Sequence, residues 1–227
     1  METLPLSLTV LFILTIIITV AIFYKACNQS KVFLIFIIGW LVIQSLISLS
    51  GFYTVTDNLP PRFVLVPIPL FICILLLFFT QPGQKFLDSL NIKILTLIHV
   101  IRIPVELCLF WLFTYKTIPQ LMTFEGRNFD IISGISAPFI YYFGFVKPSI
   151  SRNIILLWNF ICLGLLLNIV IHAALSAPFP LQQFAFDQPN IAVLYFPFVF
   201  LPGCIVPLIL LSHLASIRQL LKKETLQ

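Results

Sequence analysis

The sequence predicts an all-α fold, a polytopic membrane helical bundle of seven transmembrane helices, and three observations carry that prediction. Of the 227 residues 60% are hydrophobic and only 9% are charged, whereas soluble domains run near one quarter charged. Apolar stretches of about 20 residues follow one another across short polar joins, the length a helix needs to cross a core of ~30 Å. The alternating stretches of about ten residues that a transmembrane barrel requires are not seen.

Taken in order, the first span is residues 5–23. Its leading residues carry Glu2 and no Lys or Arg, and no small-x-small cleavage pattern follows, so it reads as a retained helix and not a signal peptide. Span two is residues 32–53, with Gln44, Ser45, Ser48 and Ser50 as its polar content; serines let a neighbouring helix approach closely. Asp57 to Pro61 is a turn. Span three, residues 62–80, ends at Gln81-Pro82-Gly83-Gln84, and Lys85, Asp88 and Lys93 mark the next join.

Span four, residues 94–115, is the unusual one, because it carries His99, Arg102 and Glu106. At 100° per residue these fall within about 60° of one another, on one helix face. Each charge costs about 2.5–3.5 kcal/mol at the centre of a spanning helix on insertion scales, so the stripe is the feature the bundle is expected to house. Pro104 removes a backbone N–H and displaces the Val100 carbonyl, which predicts a kink at the level of the charges.

Residues 118–130 are too polar to span and too apolar to be free in water. They are expected at the membrane interface, with Leu121, Met122, Phe124 and Phe129 toward lipid or protein. Span five, residues 131–146, is short, is interrupted by Gly134, Pro138 and Gly144, and has Asp130 placed as its N-cap. Span six, residues 153–175, contains Asn159, Asn168 and His172. Span seven, residues 191–217, has Pro197, Pro202 and Pro207, with Gly203 beside the second, and is expected to be kinked or broken near Pro202-Gly203. The whole chain, 1–227, reads as a single transmembrane domain.

Orientation follows from the basic residues. Lys25, Lys31, Lys85, Lys93, Lys147, Arg152, Arg218, Lys222 and Lys223 fall on one side, nine of the thirteen Lys and Arg. The positive-inside rule then puts the N-terminus outside and the C-terminus in the cytoplasm, in the inner (plasma) membrane. Topology therefore accounts for the net charge of +5, and the partner it implies is the lipid bilayer, with no nucleic acid.

Depth at ~1.5 Å per residue sorts the polar residues into groups. Arg102 comes out at about 12 Å from the cytoplasmic side and Glu106 and Gln44 at about 18 Å, a candidate substrate or ion site facing the interrupted spans five and seven. The competing reading is a structural salt bridge between Arg102 and Glu106 at i, i+4. His99, His213 and Asn159 form a second layer nearer the cytoplasm. His172 lies roughly 20 Å from the other two histidines on the same rise, so no three-His metal site is expected. No cofactor or metal is predicted; haem or metal held by His99 and His213 is a lesser reading. Glu125, Arg127, Asn128 and Asp130 form an outer cluster, read as acid–base chemistry or, preferred, as an interfacial turn.

The five cysteines are scattered, with no CxxC pair, so neither a disulfide framework nor a metal knuckle is expected. No phosphate loop, HExxH or nucleophile elbow occurs, and no catalytic residue is assigned. The seven-span layout resembles that of microbial rhodopsins, although with no lysine between Ile191 and Ile217 no retinal Schiff base is available there. It is also similar in size and topology to the SWEET sugar transporters, and Pro104-Val105-Glu106 resembles the Pro-x-Glu element of membrane lycopene cyclases. The expected function is that of a small transporter or channel-like protein for an ion or small solute. An intramembrane enzyme, lipid-directed or haem/metal redox, and a structural or assembly subunit are the alternatives.

Overall fold

The computed structural model describes residues 4–222; Glu2 and Lys223 of the reading above lie outside the described residues. The fold is all-helical, with no strand among the described residues. Its helices are α1 (Leu6–Ala26), α2 (Lys31–Leu49), α3 (Ile68–Phe79), α4 (Gln81–Ser89), α5 (Ile92–Leu97), α6 (Arg102–Thr114), α7 (Ile131–Tyr141), α8 (Arg152–Leu175) and α9 (Val206–Lys222). Short side chains start several of them. Ser30 accepts from the Phe33 N–H, Asn91 from Lys93 and Ile94, and Ser151 from Ile154, satisfying donors that the first helical turn leaves free.

Six helical stretches are long and apolar enough to cross a membrane: Leu6–Ala26, Lys31–Leu49, Arg62–Phe79, Ile92–Thr114, Arg152–Leu175 and Leu201–Lys222, with Ile131–Val146 as a shorter apolar helix. The two central ones are Leu201–Lys222, with 67% of its apolar window buried, and Ile92–Thr114, with 56%. By contrast α2 is 17% buried and presents Val32, Ile35, Leu46 and Leu49 outward. α1 packs on α5 and α6, α8 on α9, and α7 on α6 and the turn before it. Gly134 makes that last approach close, since a Cβ there would stand 2.9 Å from Ile103 Cγ1 and 3.1 Å from its backbone nitrogen.

Several boundaries differ from the sequence reading, each for a local reason. The stretch 92–114 is composite: α5, a 3-10 turn Ile98–Ile101, then α6. Pro104 has no N–H to offer the Val100 carbonyl, and the Arg102 N–H turns to the His99 and Val100 carbonyls. The span expected from Ile191 does not begin there. Residues 191–200 hold only a 3-10 turn, Ala192–Leu194, and regular helix starts with a π turn, Leu201–Ile205, at Pro202-Gly203, where the break was expected. Asp130 precedes α7 but its side chain makes no cap hydrogen bond; its carboxylate is used elsewhere, as shown below.

The join at 81–90 is itself helical and docked. Gly83 allows α4 to fold back, because a Cβ there would stand 2.5 Å from both the Leu77 Cα and carbonyl oxygen. Asp88 accepts from Arg218 (3.0 Å) and Lys222 (2.5 Å) of α9, and Gln219 donates to the Leu87 and Leu90 carbonyls. Burial alone would raise the Asp88 carboxyl, but Lys222 and Arg218 hold it below its usual range. A carboxylate with a lowered folded pKa contributes stability above its unfolded pKa and loses it as pH falls through the folded value. Acidification below pH 4 is therefore expected to weaken the α4–α9 contact, read as lower amide protection factors at 84–90, corrected for the intrinsic exchange rate at each pH, and Asp88→Asn should abolish that dependence. Gly83→Ala should cost about 1–3 kcal/mol through overpacking, read as a lower midpoint of thermal unfolding in detergent.

Candidate functional site

The site is built from four elements that meet at Arg102, in the first turn of α6. Its Nη1 donates to Asp130 Oδ1 at 2.6 Å and to the Cys162 carbonyl of α8 at 3.2 Å. Its Nη2 donates to His213 Nε2 of α9 at 2.8 Å. Arg102 and Asp130 are 3% and 7% exposed at the side chain, so this ion pair is fully interior.

Because a guanidinium only donates, His213 Nε2 is the acceptor. Its Nδ1–H therefore donates to Asn159 Oδ1, 3.0 Å away, and Asn159 Nδ2 donates to the Ile155 carbonyl at 2.9 Å. The chain of bonds fixes His213 as the neutral Nδ1–H tautomer. His99 lies flat on it, ring centroids 3.9 Å apart at 17°, and edge-on to Trp158 at 5.4 Å. Trp158 is held in turn by donating to Ser136 Oγ.

Glu106, one turn further along α6, does not pair with Arg102. Its Oε1 accepts from Asn128 Nδ2 at 2.5 Å, and the same amide donates to the Met122 carbonyl at 3.0 Å. Asn128 Oδ1 accepts from the Asp130 N–H at 3.0 Å. Glu106 Oε2 is buried and has no hydrogen-bond partner among the described residues. A single tripeptide, Asn128-Phe129-Asp130, thus serves both charged residues of α6, and the i, i+4 salt bridge considered from the sequence is replaced by two separate partnerships.

That tripeptide comes inward because residues 117–128 fold against the bundle. Ile118, Met122 and Thr123 are buried, the Ile191 and Ala192 N–H groups donate to the Thr117 carbonyl, Gln188 donates to the Ile118 carbonyl, and Asn168 donates to the Arg127 carbonyl. At Gly126 any Cβ would collide with the backbone of Gln120 and Leu121, so this reversal requires glycine. Among the residues expected toward lipid or protein, Met122 is interior and Phe129 is 52% exposed.

The sequence-derived groups are redistributed accordingly. Asp130 leaves the outer cluster for Arg102, while Glu125 and Arg127 are exposed. His99, His213, Asn159 and Arg102 form one layer. Gln44 is buried but accepts from Tyr53 Oη at 2.6 Å and does not line the cavity described next. Both ring nitrogens of His213 are engaged, and no group of three or more His, Cys, Asp or Glu that could hold a metal occurs among the described residues. Asn128, grouped from sequence with the outer cluster, likewise turns inward, to Glu106.

Beside this network lies a cavity of ≈ 220 Å³ lined by Arg102, Glu106 and Asp130 on one side. Phe63, Phe71, Leu166, Ile169, Leu201 and Ile205 contribute to an otherwise almost wholly apolar wall. The arrangement puts Glu106, with one buried and partnerless carboxyl oxygen, among the residues around an apolar space, beside a guanidinium whose charge is offset by Asp130.

A family described as a domain of unknown function, DUF8737, matches residues 59–221, a region that includes every residue of this network. No curated protein and no solved structure matches the chain.

Breaking a buried ion pair from one side costs about 3–5 kcal/mol because a charge is left uncompensated. Asp130→Asn is therefore expected to lower the thermal midpoint sharply, and the double variant Arg102→Gln, Asp130→Asn to lose less than the sum of the two single losses, measured by a double-mutant cycle in detergent.

Proposed function

The chain belongs to the DUF8737 family, and from that premise and the site in its matched region we propose that it is a multi-pass membrane protein that moves a small solute or ion through the cavity at Glu106. Seven apolar helices would cross the inner (plasma) membrane, the N-terminus outside and the C-terminus cytoplasmic. The outward Val, Ile, Leu and Phe side chains, among them Val32, Ile35, Leu49 and Phe79, each more than two-thirds exposed, support a bilayer as the surrounding medium. The placement of Lys and Arg supports the orientation.

The observation that carries the reading is that Glu106 Oε2, buried and without a partner, belongs to a residue lining the ≈ 220 Å³ cavity. A carboxyl is expensive inside an apolar bundle, and one held on a single oxygen while the other is free is poised to take a proton, a cation or a donor group. The helix interruption at 201–205 gives Leu201, Pro202 and Ile205 to the cavity wall, and broken helices bring backbone carbonyls to such sites in transporters. Arg102, engaged by α7, α8 and α9, serves as the organising charge, and Glu106 as the group that handles the cargo.

In liposomes on a solid-supported membrane, proton and cation concentration steps should produce currents with the wild-type protein. Glu106→Gln should reduce them at least about tenfold, the loss expected for one charge-assisted hydrogen bond. Gln44→Ala, away from the cavity, should stay within about twofold, below the effect of one such bond. A monodisperse, folded Glu106→Gln protein with undiminished currents would refute the reading.

A further inference from the structure

Resting on the reading that Glu106 handles the cargo, we propose that the cavity takes an organic monocation, an amine or ammonium carried on a small apolar body. Four observations on the site converge on this chemistry.

The first is charge. Arg102 and Asp130 offset one another at 2.6 Å, and Glu106 forms no ion pair among the described residues. An ionised Glu106 therefore leaves the site one negative charge in excess, which a single positive charge completes. The second is direction. Glu106 Oε1 is already held by Asn128, while Oε2, on a side chain only 1% exposed, has no partner among the described residues. One carboxylate oxygen accepting from an ammonium N–H is a charge-assisted contact of the strong kind.

The third is the wall. Apart from Arg102, Glu106, Asp130 and Asn190, the lining residues are apolar and include the rings of Phe63 and Phe71. Calcium takes six to eight oxygen ligands and magnesium a near-ideal octahedron, a demand this lining does not meet, and a bare ion would leave the apolar wall unused. Aromatic faces favour a cation with a hydrocarbon body. The fourth is exclusion. An anion would face Glu106 and compete with Asp130 for a guanidinium that already makes three bonds and keeps only Nε without a partner among the described residues, and a neutral apolar molecule would leave the buried carboxyl unpaired, at the cost of an unsatisfied polar group.

The test uses three near-isosteric probes on the purified full chain: phenethylamine, 2-phenylethanol and 3-phenylpropionate. Tritiated phenethylamine should bind saturably in a scintillation proximity assay and be displaced by unlabelled amine. At equal concentration the alcohol and the acid should displace it at least about tenfold less well, the value of one charge-assisted bond. Glu106→Gln should weaken amine binding by a similar factor, Glu106→Asp, which keeps the charge, by less, and Glu125→Gln, exposed and outside the cavity, should leave it unchanged. Equal displacement by the alcohol, or undiminished amine binding by folded Glu106→Gln, would overturn the proposal. Absence of amine binding together with Glu106-dependent currents would reject the amine and leave the transport reading standing. Amine binding lost in Glu106→Gln without any currents would reject transport and leave the binding site standing.

Discussion

The structure depends on the burial of one guanidinium. An arginine inside an apolar bundle is tolerated only if its charge is matched and its donors are met, and each partner of Arg102 comes from a different element: Asp130 at the head of α7, the Cys162 carbonyl of α8 and His213 of α9. Satisfying that one side chain fixes the positions of three helices around α6. The planar fork of arginine suits this role, since its donors leave in fixed directions and each direction selects one partner.

The consequences run outward through both shells of hydrogen bonds. His213 accepts from Arg102 and is therefore oriented to donate to Asn159, which is anchored on its own helix. His99 is positioned by stacking on His213 and Trp158. On the other side, Asp130 can reach Arg102 only if residues 117–128 turn inward, and the same turn delivers Asn128 to Glu106. The loop thereby completes the interior polar site while Gly126, Met122 and Thr123 bring its backbone against the bundle.

Glu106 is the carboxylate of the network that remains half satisfied; Arg102 Nε and both ring nitrogens of His99 are also buried without a hydrogen-bond partner among the described residues. A buried polar system closed on itself adds rigidity, and here Arg102 has its ion pair while one oxygen of Glu106, a residue that lines the cavity, is left without a partner among the described residues. The separation of these roles follows from which partner each carboxyl found: Asp130 took the guanidinium, so Glu106 is left with an amide on one oxygen and no partner on the other among the described residues. A fixed charge pair beside a free acid is a division of labour in which the frame does not have to break for the acid to change its partner.

Much of this was legible in the linear sequence. The apolar stretches marked the helices, the clustering of His99, Arg102 and Glu106 marked the element that matters, and Pro104 and Pro202-Gly203 marked the interruptions, because hydrophobic length, helical periodicity and a missing N–H act over a few neighbouring residues. Counting rise along helices placed His99, His213 and Asn159 in one layer for the same reason. What counting could not place was the segment 117–130, whose path depends on contacts with α6, α8 and residues 188–192 far along the chain. It therefore assigned Asp130 to an outer cluster and joined Arg102 to Glu106, and it brought Gln44 to a site where Tyr53 in fact holds it elsewhere. Sequence determined which charges had to be buried; only the tertiary structure decided their partners, because charge pairing is settled by which chain segments converge and not by how far apart residues stand along one helix.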